Sequence, residues 1–246
     1  MGIEYKEDFT RKWKKYFGGA ELPITFRYTD ELAESDAQPE YGEDGHCLIG
    51  ALKTVREGKV VAFSKDSIRC GGGMRYLGYV KDFDAYQKHI EKFLSGTEHY
   101  KKSVEVAREY YETSIPNFVA PAKYCVFTPW DNLTEETTPD VVIFFATPDA
   151  ISGLFNMANY DRTDADGVVC PWGSGCASIA MLPYQEQISD DPRAVLGMFD
   201  PSSRPNVGAN ELCFSVPFKL FTRLIDQMDE MFLTTEAWNK MRERMA

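Results

Sequence analysis

No stretch of this chain approaches the roughly 18 uninterrupted apolar residues that a membrane-crossing helix needs, so the sequence offers no transmembrane span. Histidine is scarce, at three residues, and no Cys-x2-Cys pair occurs, which removes the usual spacing signal for zinc and for most iron–sulfur sites. Walker A, GxSxG and HExxH are also missing. The CysGlyGlyGly run at Cys70–Gly73 is no dinucleotide fingerprint, because Tyr76 stands where a third glycine would be required. The acidic stretch from Asp161 to Gly167 fails as a calcium loop: the first and last ligand positions would be Arg162 and Gly173. Cations are outnumbered, 27 Lys and Arg against 38 Asp and Glu for a net charge of −11, and no basic stripe interleaves with aromatics. Such a chain repels phosphate backbones, so no nucleic-acid partner is expected. Lys12, Lys14 and Lys15 read as the solvated face of a first helix. The segment MGIEYKEDFTRKWKKYF lacks an apolar core, so the expectation is no secretory signal and a cytoplasmic location without membrane partners. Lys6 stands where a myristoylation signal would carry Ser or Thr.

What is present is an ordinary globular composition, 43% apolar and 26% charged over 246 residues, enough for a substantial core within a single domain, 1–246. Six cysteines occur: Cys47, Cys70, Cys125, Cys170, Cys176 and Cys213. In a reducing compartment they stay thiols, and the plainest reading makes most of them small buried hydrophobes, Cys125 in YCVF above all.

Tyr5, Phe9, Trp13, Tyr16 and Phe17 share one helical face, stopped by Gly18-Gly19. A strand follows at 24–28, then a polar connection over 30–44 with a helical turn at 31–35. A short amphipathic helix starts near Cys47 and ends at Gly58, and a buried-type strand covers 59–64. Helices are predicted over 83–94 and 102–111, and strands over 124–128 and 140–147, the second apolar enough to be central. Pro148 opens a helix with Ala150, Ile151, Leu154, Phe155 and Ala158 inward. DGVVCPWGSGCASIA, Asp166 to Ala180, runs from an apolar strand through a Pro-Trp-Gly-Ser-Gly turn into a helix, with Cys170 and Cys176 on its two sides. Strands at 193–199 and 211–216, an amphipathic helix over 217–232 and a more polar helix over 235–244 complete the chain.

The order of elements repeats. A helix, a strand, a Cys47-led helix, a strand, a Cys70 segment and a helix are echoed by a helix, a strand, a Cys176-led helix, a strand, a Cys213 segment and a helix. The reading is an α/β fold, with α+β left open, made of two similar helix–strand–helix–strand–helix halves, about 5–95 and 102–232, around a mixed sheet as an internal pseudo-repeat. The alternative is chance alternation of helices and strands.

The signals TPWDNL, PDVVIFFATPDAISGLF, a Gly-x-Gly-Cys turn and NELCFSVPFKLFTRLIDQM follow one another in the second half. In this the chain resembles the DUF169 (COG2043) family of bacterial and archaeal proteins. The family's strand with Pro-led helix falls on Val141 to Phe155, its cysteine turn on Gly175-Cys176, and its acidic strand ending in Pro on Glu211 to Pro217. The resemblance implies an architecture and a cytosolic setting and supplies no activity.

Three kinds of chemistry suit these residues. Cys170, Cys176, Cys47 and Cys70 could supply four thiolates to zinc or an iron–sulfur cluster, if the halves face each other. Cys176, or Cys47 beside His46, could act as a nucleophile, since a helix start lowers a thiol's pKa and an imidazole can activate it. A small-molecule pocket could lie between the halves, lined by Trp130, Trp172, Phe127 and Tyr160, with Gly71, Gly72 and Gly73 facing Gly173 and Gly175 at its mouth. Plain core packing is the competing account of both tryptophans. The expectation is a protein with a cysteine-bearing ligand or metal site between pseudo-repeats, the alternative a thiol-dependent enzyme acting on a small molecule.

Overall fold

The computed structural model describes residues 3–34, 36–41 and 46–245. The turn expected at 31–35 and the break at Gly42 fall partly or wholly outside those residues. Helix α1, Ile3–Phe17, buries Phe9, Trp13, Tyr16 and Phe17 as its spacing requires, and ends where Gly18 takes a φ of 61°. Strand β1, Ile24–Thr29, follows. The helix expected from Cys47 to Gly58 is two short turns, α2 at Leu48–Ala51 and α3 at Lys53–Arg56, before β2, Val61–Ser64.

The triple glycine forms a helix rather than an open loop: α4 spans Gly71–Tyr76, with the Cys70 sulfur accepting the Gly73 N–H at 3.2 Å. A Cβ on Gly73 would stand 2.9 Å from Ile68 and 3.0 Å from the Cys70 sulfur. That packing, more than flexibility, calls for glycine. Helix α5, Phe83–Lys92, runs into a π turn at Phe93–Thr97; α6 is Val104–Ser114 and β3 is Tyr124–Pro129. Then come β4, Val141–Ala146; α7, Pro148–Ala158; and β5, Val168–Val169. A second π turn, Ala177–Met181, leads into α8, Leu182–Gln187. Strands β6, Ala194–Gly197, and β7, Leu212–Pro217, and helices α9, Phe218–Gln227, and α10, Glu236–Arg242, follow.

Among the described residues, seven strands form one mixed sheet in the order β2-β3-β1-β4-β7-β6-β5, antiparallel except for the parallel β5–β6 pair. Strand β4 is central, as its unbroken apolar run predicts, and all six of its residues are buried. Its alternation splits the core. Val142 and Phe144 face α1, α7 and α9 with Trp13, Leu154 and Phe221, while Val141, Ile143 and Phe145 face α2 to α6 and the second π turn. Phe144 lies 4.9 Å from the Trp13 ring, and burying such a side chain contributes about 1.5–3 kcal/mol.

Outward from β4 the strands run β1-β3-β2 on one side and β7-β6-β5 on the other. The halves expected at 5–95 and 102–232 do not match this order. Helix α6 leads into β3, which joins β1 and β2, and the counterpart of Cys213 by strand position is Cys125 rather than Cys70. Cys125 and Cys213 are each second in strands that close on Pro129 and Pro217.

Candidate functional site

On the face of the sheet covered by α2 to α6 lies a cavity of about 370 Å³. Its walls come from two parts of the chain. Residues 46–111 give His46, Cys47, Cys70, Gly71, Gly72, Tyr76, Tyr86, His89, Ile90, Phe93, Leu94, Tyr100 and Tyr111, and residues 172–203 give Trp172, Gly173, Ser174, Cys176, Asp200, Ser202 and Ser203. Three thiols therefore meet one mainly apolar cavity with six Tyr, Phe and Trp rings in its wall.

The thiols are not equivalent. Cys176, in the first turn of its helical segment, is 3% exposed, whereas Cys47 and Cys70 are partly exposed. The Cys70 thiol is brought down to about 6, first by the neighbouring Cys176 S–H and then by backbone N–H groups at Leu48 and Gly73, against the opposing effect of burial. The Cys176 thiol is pushed well up, because the neighbouring Cys70 sulfur favours its protonated S–H and burial disfavours a second charge. Burial also pushes the Cys47 thiol up, with the Ile49 and Gly50 backbone acting against it. Of the two thiols, Cys70, rather than the Cys176 singled out from the sequence, is thus the one held toward its ionised form. Among the described residues no hydrogen bond joins His46 to a cysteine, so the His46–Cys47 pairing gains no support from geometry.

An acid that sequence reasoning missed fixes the cysteine turn. Asp200 is 5% exposed and accepts the Gly175 N–H at 2.5 Å, the Ser203 N–H at 3.0 Å and the Ser202 hydroxyl at 2.5 Å. Its signal was a local one, Asp followed by serines two and three residues on, the pattern of an Asx turn. The Tyr110 hydroxyl donates to the Trp172 carbonyl at 2.7 Å, and the two rings meet edge-on at 4.9 Å. The Tyr86 hydroxyl donates to the Gly71 carbonyl at 3.1 Å. Ser174 Oγ is buried at the wall and has no hydrogen-bond partner among the described residues, so a bound polar atom could satisfy it.

Several expected site residues fall elsewhere. Trp130 is on the opposite face of the sheet, 1% exposed, with its ring 4.5 Å from Phe9 and its indole N–H donated to Thr10. Phe127 is a fully buried core residue, and Tyr160 lies on the far side, its hydroxyl donated to the Glu230 carbonyl. Cys170 is exposed and does not line the cavity. Gly73 and Gly175 sit just behind the wall, where a Cβ on Gly175 would meet Met198 Sδ at 2.6 Å and Ser203 Oγ at 2.8 Å. Tyr86, Ile90, Phe93, Leu94 and Tyr111 were missed because their helical spacing reads equally well as core, and Tyr76 and Tyr100 because no sequence pattern marked them.

Residues 14–227 match the model of a family described as DUF169, Uncharacterised ArCR, COG2043. No curated protein and no solved structure gives a significant match.

Proposed function

The chain belongs to the DUF169 family, with a match over residues 14–227, and we propose that it is a thiol-dependent enzyme that binds a small molecule in this cavity and presents it to Cys70. The observation that carries the reading is the convergence of Cys47, Cys70 and Cys176 on one cavity, with Cys70 held as the ionised member. A thiolate beside an apolar wall attacks an electrophilic carbon: the S–C bond forms and the leaving group departs with its bonding pair. Cys176 tunes Cys70 through its S–H, and Asp200 holds the turn that carries Cys176. A cytoplasmic, reducing setting fits this role, since each of the six cysteines is a free thiol.

The zinc or iron–sulfur reading rests on the same three sulfurs. It loses Cys170, and among the described residues no group of three His, Cys, Asp or Glu side chains is arranged to hold a metal ion. One experiment separates the two. Iodoacetamide labelling with peptide mapping should show Cys70 as the fastest native thiol, with a pH midpoint near 6. A Cys70 no faster than Cys170 would sink the enzyme reading, and stoichiometric zinc or iron lost in both Cys70→Ala and Cys176→Ala would replace it with the metal one.

A further inference from the structure

The charge of the cavity wall is one-sided. Among the described residues, six phenyl, phenol and indole rings line it, Tyr76, Tyr86, Phe93, Tyr100, Tyr111 and Trp172, and no Lys or Arg does. The carboxylate on the wall is Asp200, buried and held by three donors; the other titratable groups there are thiols, phenols and the imidazoles of His46 and His89. Arg69, Arg75 and Lys101 stand near but outside the lining, the Arg69 guanidinium 5.0 Å from the Tyr41 ring. Arg75 is within electrostatic range of Tyr76, Tyr86 and Tyr111; its Nη2 goes to the Pro116 carbonyl at 2.6 Å and its guanidinium lies 4.9 Å from the Phe83 ring, while its buried Nη1 has no hydrogen-bond partner among the described residues. The Lys101 ammonium lies 3.8 Å from the Trp172 ring centroid and 4.2 Å from that of Tyr110. The rim rings thus already hold one alkylammonium.

We infer that the cavity is selective for a compact organic cation, of the quaternary ammonium or sulfonium class, over neutral and anionic molecules of the same shape. Aromatic faces attract such ions through their quadrupoles, and the attraction grows where water is excluded. Phosphates and carboxylates find no lining guanidinium or ammonium to receive them and meet Asp200 instead. The net charge of −11 adds a weaker long-range pull of the same sign. The volume of about 370 Å³ sits at the lower end of small-molecule pockets. This inference rests on the cavity being the binding site proposed above, and it does not need Cys70 to be a catalyst.

Two measurements test it separately from that reading. In the first, the protein is treated with trimethylammonioethyl, methyl and sulfonatoethyl methanethiosulfonates; each forms a mixed disulfide with a thiolate and expels methanesulfinate. Exposed Cys170 serves as the internal reference for the overall field of the protein. The cation-to-anion rate ratio at Cys70 should exceed that at Cys170 by about tenfold or more, the equivalent of one good desolvated cation–π contact. Trp172→Ala should reduce the excess and Trp172→Phe should keep most of it; Trp172 is 43% exposed, so neither change empties the core. In the second, choline is titrated against its neutral tert-butyl isostere by calorimetry, with about a tenfold preference for choline expected. Equal ratios at Cys70 and Cys170 together with equal, absent or reversed choline preference overturn the inference. Failure of Cys70 to react even with the neutral reagent, alongside preferential choline binding, removes the thiol-enzyme reading and leaves the cation site standing.

Discussion

Removing the Cys176 sulfur should move the pH profile of Cys70 upward, slowing the thiol at low pH and speeding it at high pH. In the native protein Cys70 titrates near 6, and the largest stabiliser of its thiolate is the Cys176 S–H. The sign follows directly: an acid whose folded value is depressed is ionised above that value, so native reactivity falls as pH drops through about 6. Cys176→Ala removes that donor, and full return to a free-thiol value of about 8.5 sets the upper bound of the effect. At pH 7 the thiolate fraction would then fall about 30-fold, while a Brønsted slope of about 0.45 makes the more basic thiolate about 13-fold more nucleophilic. The net loss at pH 7 is only about twofold, but at pH 5.5 it reaches roughly 18-fold, and at pH 9 the variant should alkylate about tenfold faster than wild type. The two profiles cross near about pH 7.4. Backbone donors at Leu48 and Gly73 remain in the variant and would pull the crossing lower.

The assay is iodoacetamide alkylation between pH 5 and 9.5, quenched and mapped to the Cys70 peptide, with circular dichroism to verify folding. Cys176→Ser serves as the rescue, since a hydroxyl can donate to the thiolate where a methyl cannot. An alanine variant whose Cys70 midpoint stays at the wild-type value would refute the assignment of Cys176 as donor. A serine variant behaving like alanine would show that volume, rather than the S–H, is what matters.

Two further outcomes test the fold itself. Gly153→Ala puts a Cβ 2.4 Å from the Trp238 ring and 2.7 Å from Phe17, so overpacking should cost about 1–3 kcal/mol and lower the thermal midpoint; an unchanged midpoint would mean that α7 is not seated as described, and Cys70 labelling, on the other face of the sheet, should be unaffected. Cys125 and Cys213 are 0% exposed, and burial pushes both thiols up, Cys213 to about 12; a disulfide reagent should therefore leave both unmodified in the native protein and reach all six thiols after unfolding, whereas native modification of the pair at the pace of Cys170 would contradict the buried placement of β3 and β7.

The parts of the fold legible in the sequence were those with strong local periodicity. Val141 to Ala146 had to be central because each residue is apolar, and the α1 aromatics declared one face. The cavity was half legible. Trp172, Gly71, Gly72, Gly173 and three of four nominated thiols were found through turn chemistry, which is local. Trp130 was misplaced because the chain leaves β3 at Pro129 and enters a 3₁₀ turn, so the strand's alternation no longer tells which face the next ring takes. Asp200 binds Gly175 across 25 residues, and Tyr76 meets Tyr111 across 35; such contacts leave no periodic trace. The expected repeat is not confirmed for a related reason: β3 pairs with β1 and β2 by hydrogen bonds, and element order along the chain is silent about pairing.

Irregular backbone collects at the cavity, and its placement explains how the thiols are aimed. Both π turns supply or support the wall, Phe93 and Leu94 from one, Cys176 just ahead of the other. Among the described residues, the non-glycine residues with positive φ are His99 at 53°, next to Tyr100, and Met198 at 71°, two residues before Asp200. Such residues cost about 1–3 kcal/mol each and persist where their surroundings hold them. What holds Met198 is burial against the Gly175 turn, with Asp200 locking the same turn from its other side. The helical segment after that turn approaches β6 so closely that a Cβ at Gly197 would stand 2.1 Å from the Ser178 Cβ. Only glycine lets the segment settle there, and Ser178 then returns its hydroxyl to the Gly175 carbonyl at 2.9 Å. The Cys176 backbone is thereby fixed from three directions: the sheet beneath it, the carboxylate before it and the π turn after it. A donor so fixed can hold one protonation state at Cys70, which a sulfur on a mobile loop could not do.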